Sequence, residues 1–267
     1  MIRARIRLSS SDTFSSSPSL RAPFQTATLC CVLTFDDLLA RARSLVRDGR
    51  RALLGVAGGP GAGKTTLAEH LVRELNAGGE PWVAHVPMDG FHLADVELDR
   101  LGRRDRKGAP DTFDAAGYAA LLRRLREEAD GPDTVYAPGF ERVLEQPLAG
   151  AIPVPRSARL VVTEGNYLLL DTGPWARVRP ALDEVWFCEV DEDERVRRLV
   201  ARHEEFGKAH REAVAWARGT DQRNADLVAT TRERADLVVR GVVGWPRGAG
   251  HHRAGAGLGR VGADRAE

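Results

Sequence analysis

Gly58-Gly59-Pro60-Gly61-Ala62-Gly63-Lys64-Thr65 separates two apolar segments of different period. Before it, residues 51–57 form a short apolar run that closes on glycines, which suits a buried β-strand. After it, Leu67, Leu71, Val72 and Leu75 recur at helical spacing along one face. Glycines between a strand and a helix let the backbone curl until successive N–H groups converge on one point. A helix starting near Lys64 adds the positive end of its dipole there. The turn is therefore an anion cradle. Lys64 brings a mobile positive charge to the outer phosphates of a nucleotide, and the Thr65 hydroxyl is a ligand for Mg2+. G-x-x-x-x-G-K-T is the Walker A pattern, so Gly58, Gly59, Pro60, Gly61, Ala62, Gly63, Lys64, Thr65 and Thr66 are the expected contacts to ATP.

Outward from this loop the chain alternates. Apolar runs at 82–86, 160–163, 185–190 and 235–240 read as strands. Amphipathic stretches at 115–128 and 192–205 read as helices. Thr34-Phe35-Asp36-Asp37 has the form of a helix N-cap, followed by Leu38, Ala42, Leu45 and Val46 at helical spacing. Strands separated by helices imply an α/β three-layer sandwich, a parallel sheet with helices on both faces. Residues 130–157 are expected to be an irregular excursion, with short strands at 134–136 and 152–154, because prolines recur through them.

Two carboxylates stand where phosphoryl chemistry needs them. Asp89 is expected to end the second strand, and Glu164 the strand that starts at Leu160. In a parallel sheet the carboxyl ends of the strands line the ligand crevice. Asp89 there can orient an acceptor hydroxyl or take its proton, and Glu164 can hold Mg2+ with Thr65. Arg195, Arg198 and Arg202 share one face of the 192–205 helix. Phosphoryl transfer spreads negative charge over the moving group, and arginine is suited to stabilise it. A GTPase would need an N/T-K-x-D segment, and the lysines, at 64, 107 and 208, provide none.

With these elements in order, residues 50–240 resemble the phosphoribulokinase/uridine kinase/pantothenate kinase group of P-loop kinases. Arg106-Lys107-Gly108-Ala109-Pro110 and Asn224-Ala225-Asp226-Leu227 are similar to segments of bacterial pantothenate kinases. Met88-Asp89-Gly90-Phe91-His92-Leu93 and Glu164-Gly165-Asn166-Tyr167-Leu168-Leu169 look most like a branch labelled nucleoside/nucleotide kinase-like or fructose kinase. The resemblance implies a P-loop NTPase sandwich with a small lid, hinged near Gly207-Lys208. It implies an ATP-dependent kinase acting on an alcohol of a nucleoside, a pantothenate-like molecule or a sugar. Asp89, Lys64, Arg198 and Arg202 would be catalytic, and Thr65 and Glu164 would serve Mg2+. Residues 231–236 would flank adenine, while His92, Lys107, Tyr136, Arg142, Tyr167 and Asn224 would contact the acceptor. The rival reading is a P-loop ATP-binding regulatory protein without small-molecule chemistry.

The rest of the chain bounds these expectations. Net charge is +1, from 39 basic and 38 acidic residues, which gives no support to a nucleic-acid partner. No apolar run is long enough for a membrane span. Cys30, Cys31 and Cys188 match no metal spacing or disulfide framework, which fits a cytoplasmic setting. The expected partners are a small-molecule acceptor and, in a homodimer, a second copy of the chain. Residues 1–33 are Ser- and Arg-rich and acid-poor, and are read as an extension outside the fold, with a transit peptide or a functional arm as alternatives. Residues 241–267, with eight glycines, are read as a tail unable to bury enough surface to order itself.

Overall fold

A computed structural model describes residues 33–241 except 48 and 132. The expected N-terminal extension and Gly-rich tail, other than Leu33 and Gly241, lie outside the described residues. In chain order the first elements are α1 (Phe35–Leu45), β1 (Ala52–Ala57), α2 (Lys64–Leu75), β2 (Val83–His85), α3 (Asp95–Arg100), α4 (Ala115–Glu127), β3 (Val135–Glu141) and β4 (Gln146–Val154). There follow β5 (Leu160–Gly165), β6 (Glu184–Glu189), α5 (Glu192–Glu205), α6 (His210–Arg218), α7 (Thr220–Ala229) and β7 (Leu237–Arg240).

All six residues of β1 are buried, because it is the centre of the main sheet. It pairs in parallel with β5 on one side and β6 on the other. β2 adds outside β5 and β7 outside β6, so the parallel order is β2-β5-β1-β6-β7. Side chains alternate along β1 as a pleated strand requires. Leu53 and Ala57 join Tyr118, Leu122 and Leu125 of α4 in one core. Leu54 and Val56 join Leu38 and Ala42 of α1 and Leu67 and Leu71 of α2 in the other. Each fully buried leucine contributes about 1.5–3 kcal/mol of transfer free energy. Both faces of the sheet are thus covered, as the sequence pattern requires. Among the described residues no helix is long and apolar enough to cross a membrane.

α1 begins with a complete capping box: the Thr34 hydroxyl accepts from the Asp37 N–H at 3.2 Å, and the Thr34 N–H donates to Asp37 at 2.9 Å. Three expectations need correction. The excursion at 130–157 holds a regular antiparallel hairpin, β3 with β4, longer than the expected short strands and broken only by a register shift between Ala137 and Gly139. β2 stops at His85, and Asp89 sits in a short 3-10 turn, Met88–Phe91, four residues later. Finally, α6 and α7 form two helices between the arginine helix and β7, where the sequence pattern marked no element.

Candidate active site

The phosphate loop hangs between the end of β1 and the start of α2, and Lys64 is the first residue of that helix. Gly61 takes φ +80°, a conformation that costs a side-chain-bearing residue 1–3 kcal/mol as a rough figure. A Cβ there would also stand 2.9 Å from the Arg195 carbonyl oxygen and 2.9 Å from the Leu199 side chain. The loop is therefore fixed from outside as well as by its own turns. Lys64 is buried and donates to the Gly59 carbonyl at 3.0 Å; burial lowers its pKa from the ordinary lysine value.

β5 ends beside β1 and delivers Glu164, whose register partner is Val56. The Thr65 hydroxyl donates to Glu164 Oε1 at 2.9 Å. Burial first, and then the negative charge of Asp89, push the Glu164 carboxyl up to about 7, against the pull of Lys64 and the Thr65 hydrogen bond. Asp89 is close enough to act electrostatically on both Lys64 and Glu164. Its turn is pressed against the hairpin, since a Cβ on Gly90 would overlap the Pro138 carbonyl at 2.2 Å. The sheet thus gathers Lys64, Thr65, Glu164 and Asp89 into one place.

α5 carries the arginines over the loop. Arg198 Nη1 lies 3.6 Å from where a Cβ on Gly63 would stand, and the Arg198 Nε donates to Glu194 at 2.7 Å. Arg202 is near enough for its charge to act on Lys64. Arg195, the third member of the stripe, does something else. It is buried, donates to the Pro60 carbonyl at 3.2 Å, and bonds Glu192 and Gln222. It ties α5, α7 and the phosphate loop together. Ala225 of α7 completes that contact, 3.4 Å from the position of a Cβ on Gly59. Neither Gln222 nor Ala225 carries a sequence signal that singles it out.

The six expected acceptor contacts divide. His92 donates through Nδ1 to the Asp89 carbonyl at 2.8 Å, and its ring lies 4.0 Å from Phe113 and 4.8 Å from Phe140. Burial lowers its pKa, so the neutral imidazole is favoured. Arg142, just after β3, reaches Asp89 at 3.6 Å. Lys107 is held by Asp95 at 2.8 Å and lies 5.6 Å from the Phe140 ring centre. These three surround Asp89 and its aromatic neighbours. Tyr167 and Asn224 do not; both are buried, and both donate to one backbone carbonyl, that of Gly108. They hold the loop that carries Lys107. Tyr136 is 59% exposed and alternates with buried Val135 and Ala137, so it points away from the core. Of the segment expected at adenine, Asp236 is committed to the Val185 N–H at 2.7 Å and to Arg179 at 2.9 Å, and the Thr231 hydroxyl donates to Val228 at 2.7 Å.

A parallel sheet with a glycine loop, a buried lysine and a strand-end carboxylate at its carboxyl edge defines a P-loop kinase of the α/β sandwich class. Comparisons with known proteins agree. A protein named putative uridine kinase in Schizosaccharomyces pombe is 33% identical over 216 residues, which is 78% of this chain and 91% of that protein. An ATP-dependent kinase-like protein of Aspergillus versicolor is 35% identical over 161 residues, 58% of this chain and 94% of its own. Among solved structures, a protein described as a putative fructose transport system kinase from Silicibacter sp. matches with a TM-score of 0.68 and 36% identity, covering 76% of this chain and 98% of that one. No protein-family model matches. The chain belongs to the phosphoribulokinase/uridine kinase/pantothenate kinase group of P-loop kinases.

Proposed function

We propose that this kinase transfers the γ-phosphoryl group of ATP to an alcohol group of a small metabolite of nucleoside, pantothenate-like or sugar type. The observation that carries the reading is Asp89, a carboxylate 31% exposed beside buried Lys64 and Glu164 and half-buried Thr65. In this reading Asp89 orients the acceptor hydroxyl and receives its proton as the new O–P bond forms. The bond between the γ-phosphorus and the bridging oxygen breaks, and ADP leaves with that oxygen. Lys64, Arg198 and Arg202 face the charge that spreads over the moving group. Gly207, at φ +92° after α5, would let the lid close and keep water from competing with the alcohol.

Mg2+, when bound with the nucleotide, supplies further charge neutralisation at the phosphates, and Thr65 Oγ1 and Glu164 are the groups to hold it. Both are hard oxygen donors, lying 2.9 Å apart, and such an ion binds through one or two carboxylates plus phosphates and waters. The raised Glu164 carboxyl supports the fit: it is buried near another carboxylate, a setting in which a cation is favourable.

Phosphorylation of a metabolite panel, read by the mass shift of the product, tests this reading. Asp89→Asn is expected to lower turnover by roughly 10²–10⁴-fold while ATP affinity stays nearly constant. Unchanged turnover removes Asp89 from the chemistry. ATP binding with no product across the panel would favour the regulatory-protein reading instead.

A further inference from the structure

The cations on the acceptor side of Asp89 are of two kinds. Lys107 is committed to Asp95 at 2.8 Å and donates to the Glu145 carbonyl. Arg104 is held by Asp95 at 2.8 Å, and Arg106 by Asp111 at 2.8 Å. Each of these pairs is complete without a substrate. Arg142 differs. Among the described residues its one ion-pair partner is Asp89, at 3.6 Å, and 44% of its side chain is open to solvent.

That pairing opposes the reaction as it stands, because the guanidinium competes with an acceptor hydroxyl for the same carboxylate. Something must draw it off. The neighbouring wall of His92, Phe113 and Phe140 is aromatic and offers an anion no charge. Arginine presents a planar fork of donors that matches carboxylate and phosphate oxygens.

We propose that the acceptor is an anionic alcohol, carrying a carboxylate or phosphate as well as its reacting hydroxyl, and that Arg142 leaves Asp89 to bind that anion. Recognition and activation are then one event: the anion that fits the site also frees Asp89. A neutral alcohol leaves the ion pair in place. The inference rests on the kinase reading above, and names the class of molecule that reading leaves open.

Matched pairs test it with the full chain and MgATP: pantothenate against pantothenol, D-glycerate against glycerol, and fructose 6-phosphate against fructose. The charged member of at least one pair should show a higher kcat/KM by roughly 10- to 100-fold, the range of a charge-assisted hydrogen bond. Which pair responds separates a carboxylate from a phosphate. Arg142→Gln should collapse that ratio towards one, and Arg142→Lys should keep part of it. Preference for the neutral members, or no turnover of any charged member, overturns the proposal. So does an equal loss for both members in Arg142→Gln, which would place Arg142 on the phosphates of ATP. The kinase reading fails on a different result, ATP binding with no phosphorylated product from any member of the panel, charged or neutral.

Discussion

Eight consecutive residues make the phosphate loop, whereas the wall around Asp89 is put together from the Met88–Phe91 turn, the loop 104–113 and the β3–β4 hairpin. The first region works through backbone groups and a buried lysine, and its neighbours close on it from Arg195, Leu199 and Ala225. The second works through side chains held by ion pairs, the half-open Arg142 on Asp89 and the more covered Lys107 on Asp95. A site built from backbone tolerates almost no change in shape. A site built from surface side chains can change its ligand while the sheet stays intact. In the proposed function, donor grip and acceptor choice would therefore be separable, and substitutions in each region test this.

The most damaging change should fall on the loop. Gly61→Val adds a branched side chain at φ +80°, against a backbone oxygen and Leu199. Strain and overpacking together cost about 2–5 kcal/mol. We expect ATP affinity, measured by calorimetry, to fall by more than about 100-fold, with a loss of stability in urea. Wild-type affinity in this variant would mean that the loop is not held by α5.

β2 connects the two regions, and its last residue sets an acid limit on both. Burial lowers the His85 pKa from 6.5 to about 4, and its Nε2 has no hydrogen-bond partner among the described residues. Between those two values the unfolded chain binds more protons than the folded one, so stability rises with pH. The contribution is complete above 6.5 and is lost as pH falls towards 4. At about 1.4 kcal/mol per pKa unit the loss approaches 3 kcal/mol. Urea unfolding at pH 7 and near pH 4.5 should show a steeper decline in the wild type than in His85→Gln. Parallel declines would exclude His85 as the cause.

The same division explains what was legible in the sequence. The phosphate loop, the β1 core pattern and the Thr34 cap are local, and local spacing reveals them. The hairpin was hidden because Pro138, Pro147 and Pro153 interrupt it, and proline is tolerated in a two-stranded ribbon with free edges. α7 was hidden because Thr220, Asp221 and Asn224 are buried where a helical pattern would place apolar residues. Tyr167 and Asn224 were expected at the acceptor on family resemblance. Their common partner, the Gly108 carbonyl, lies 59 and 116 residues away in sequence, so only the fold distinguishes loop-holding groups from ligand-binding ones.

Asn224 also offers an intermediate test, because α7 touches the phosphate loop through Ala225 and the acceptor-side loop through Gly108. Asn224→Ala removes one of two donors to that carbonyl, a loss of about 0.5–1.5 kcal/mol. Amide exchange in residues 104–112 should speed up by roughly two- to tenfold, with little change at the phosphate loop. Faster exchange in both regions would show that α7 joins them too tightly for the division to hold.

Tyr136→Ala should do least. The ring is 59% exposed on the outer side of β3, opposite the faces of Val135 and Ala137 that enter the core. Removing it leaves no buried partner unsatisfied, so stability should stay within about 0.5 kcal/mol of wild type. The acceptor KM should move by less than about twofold if acceptor choice lies with Arg142 and the aromatic wall, since that is under 0.5 kcal/mol. A tenfold rise in KM at constant kcat would bring the outer face of the hairpin into the acceptor site. It would also mean that the hairpin turns over on binding, a movement that nothing in the phosphate loop would share.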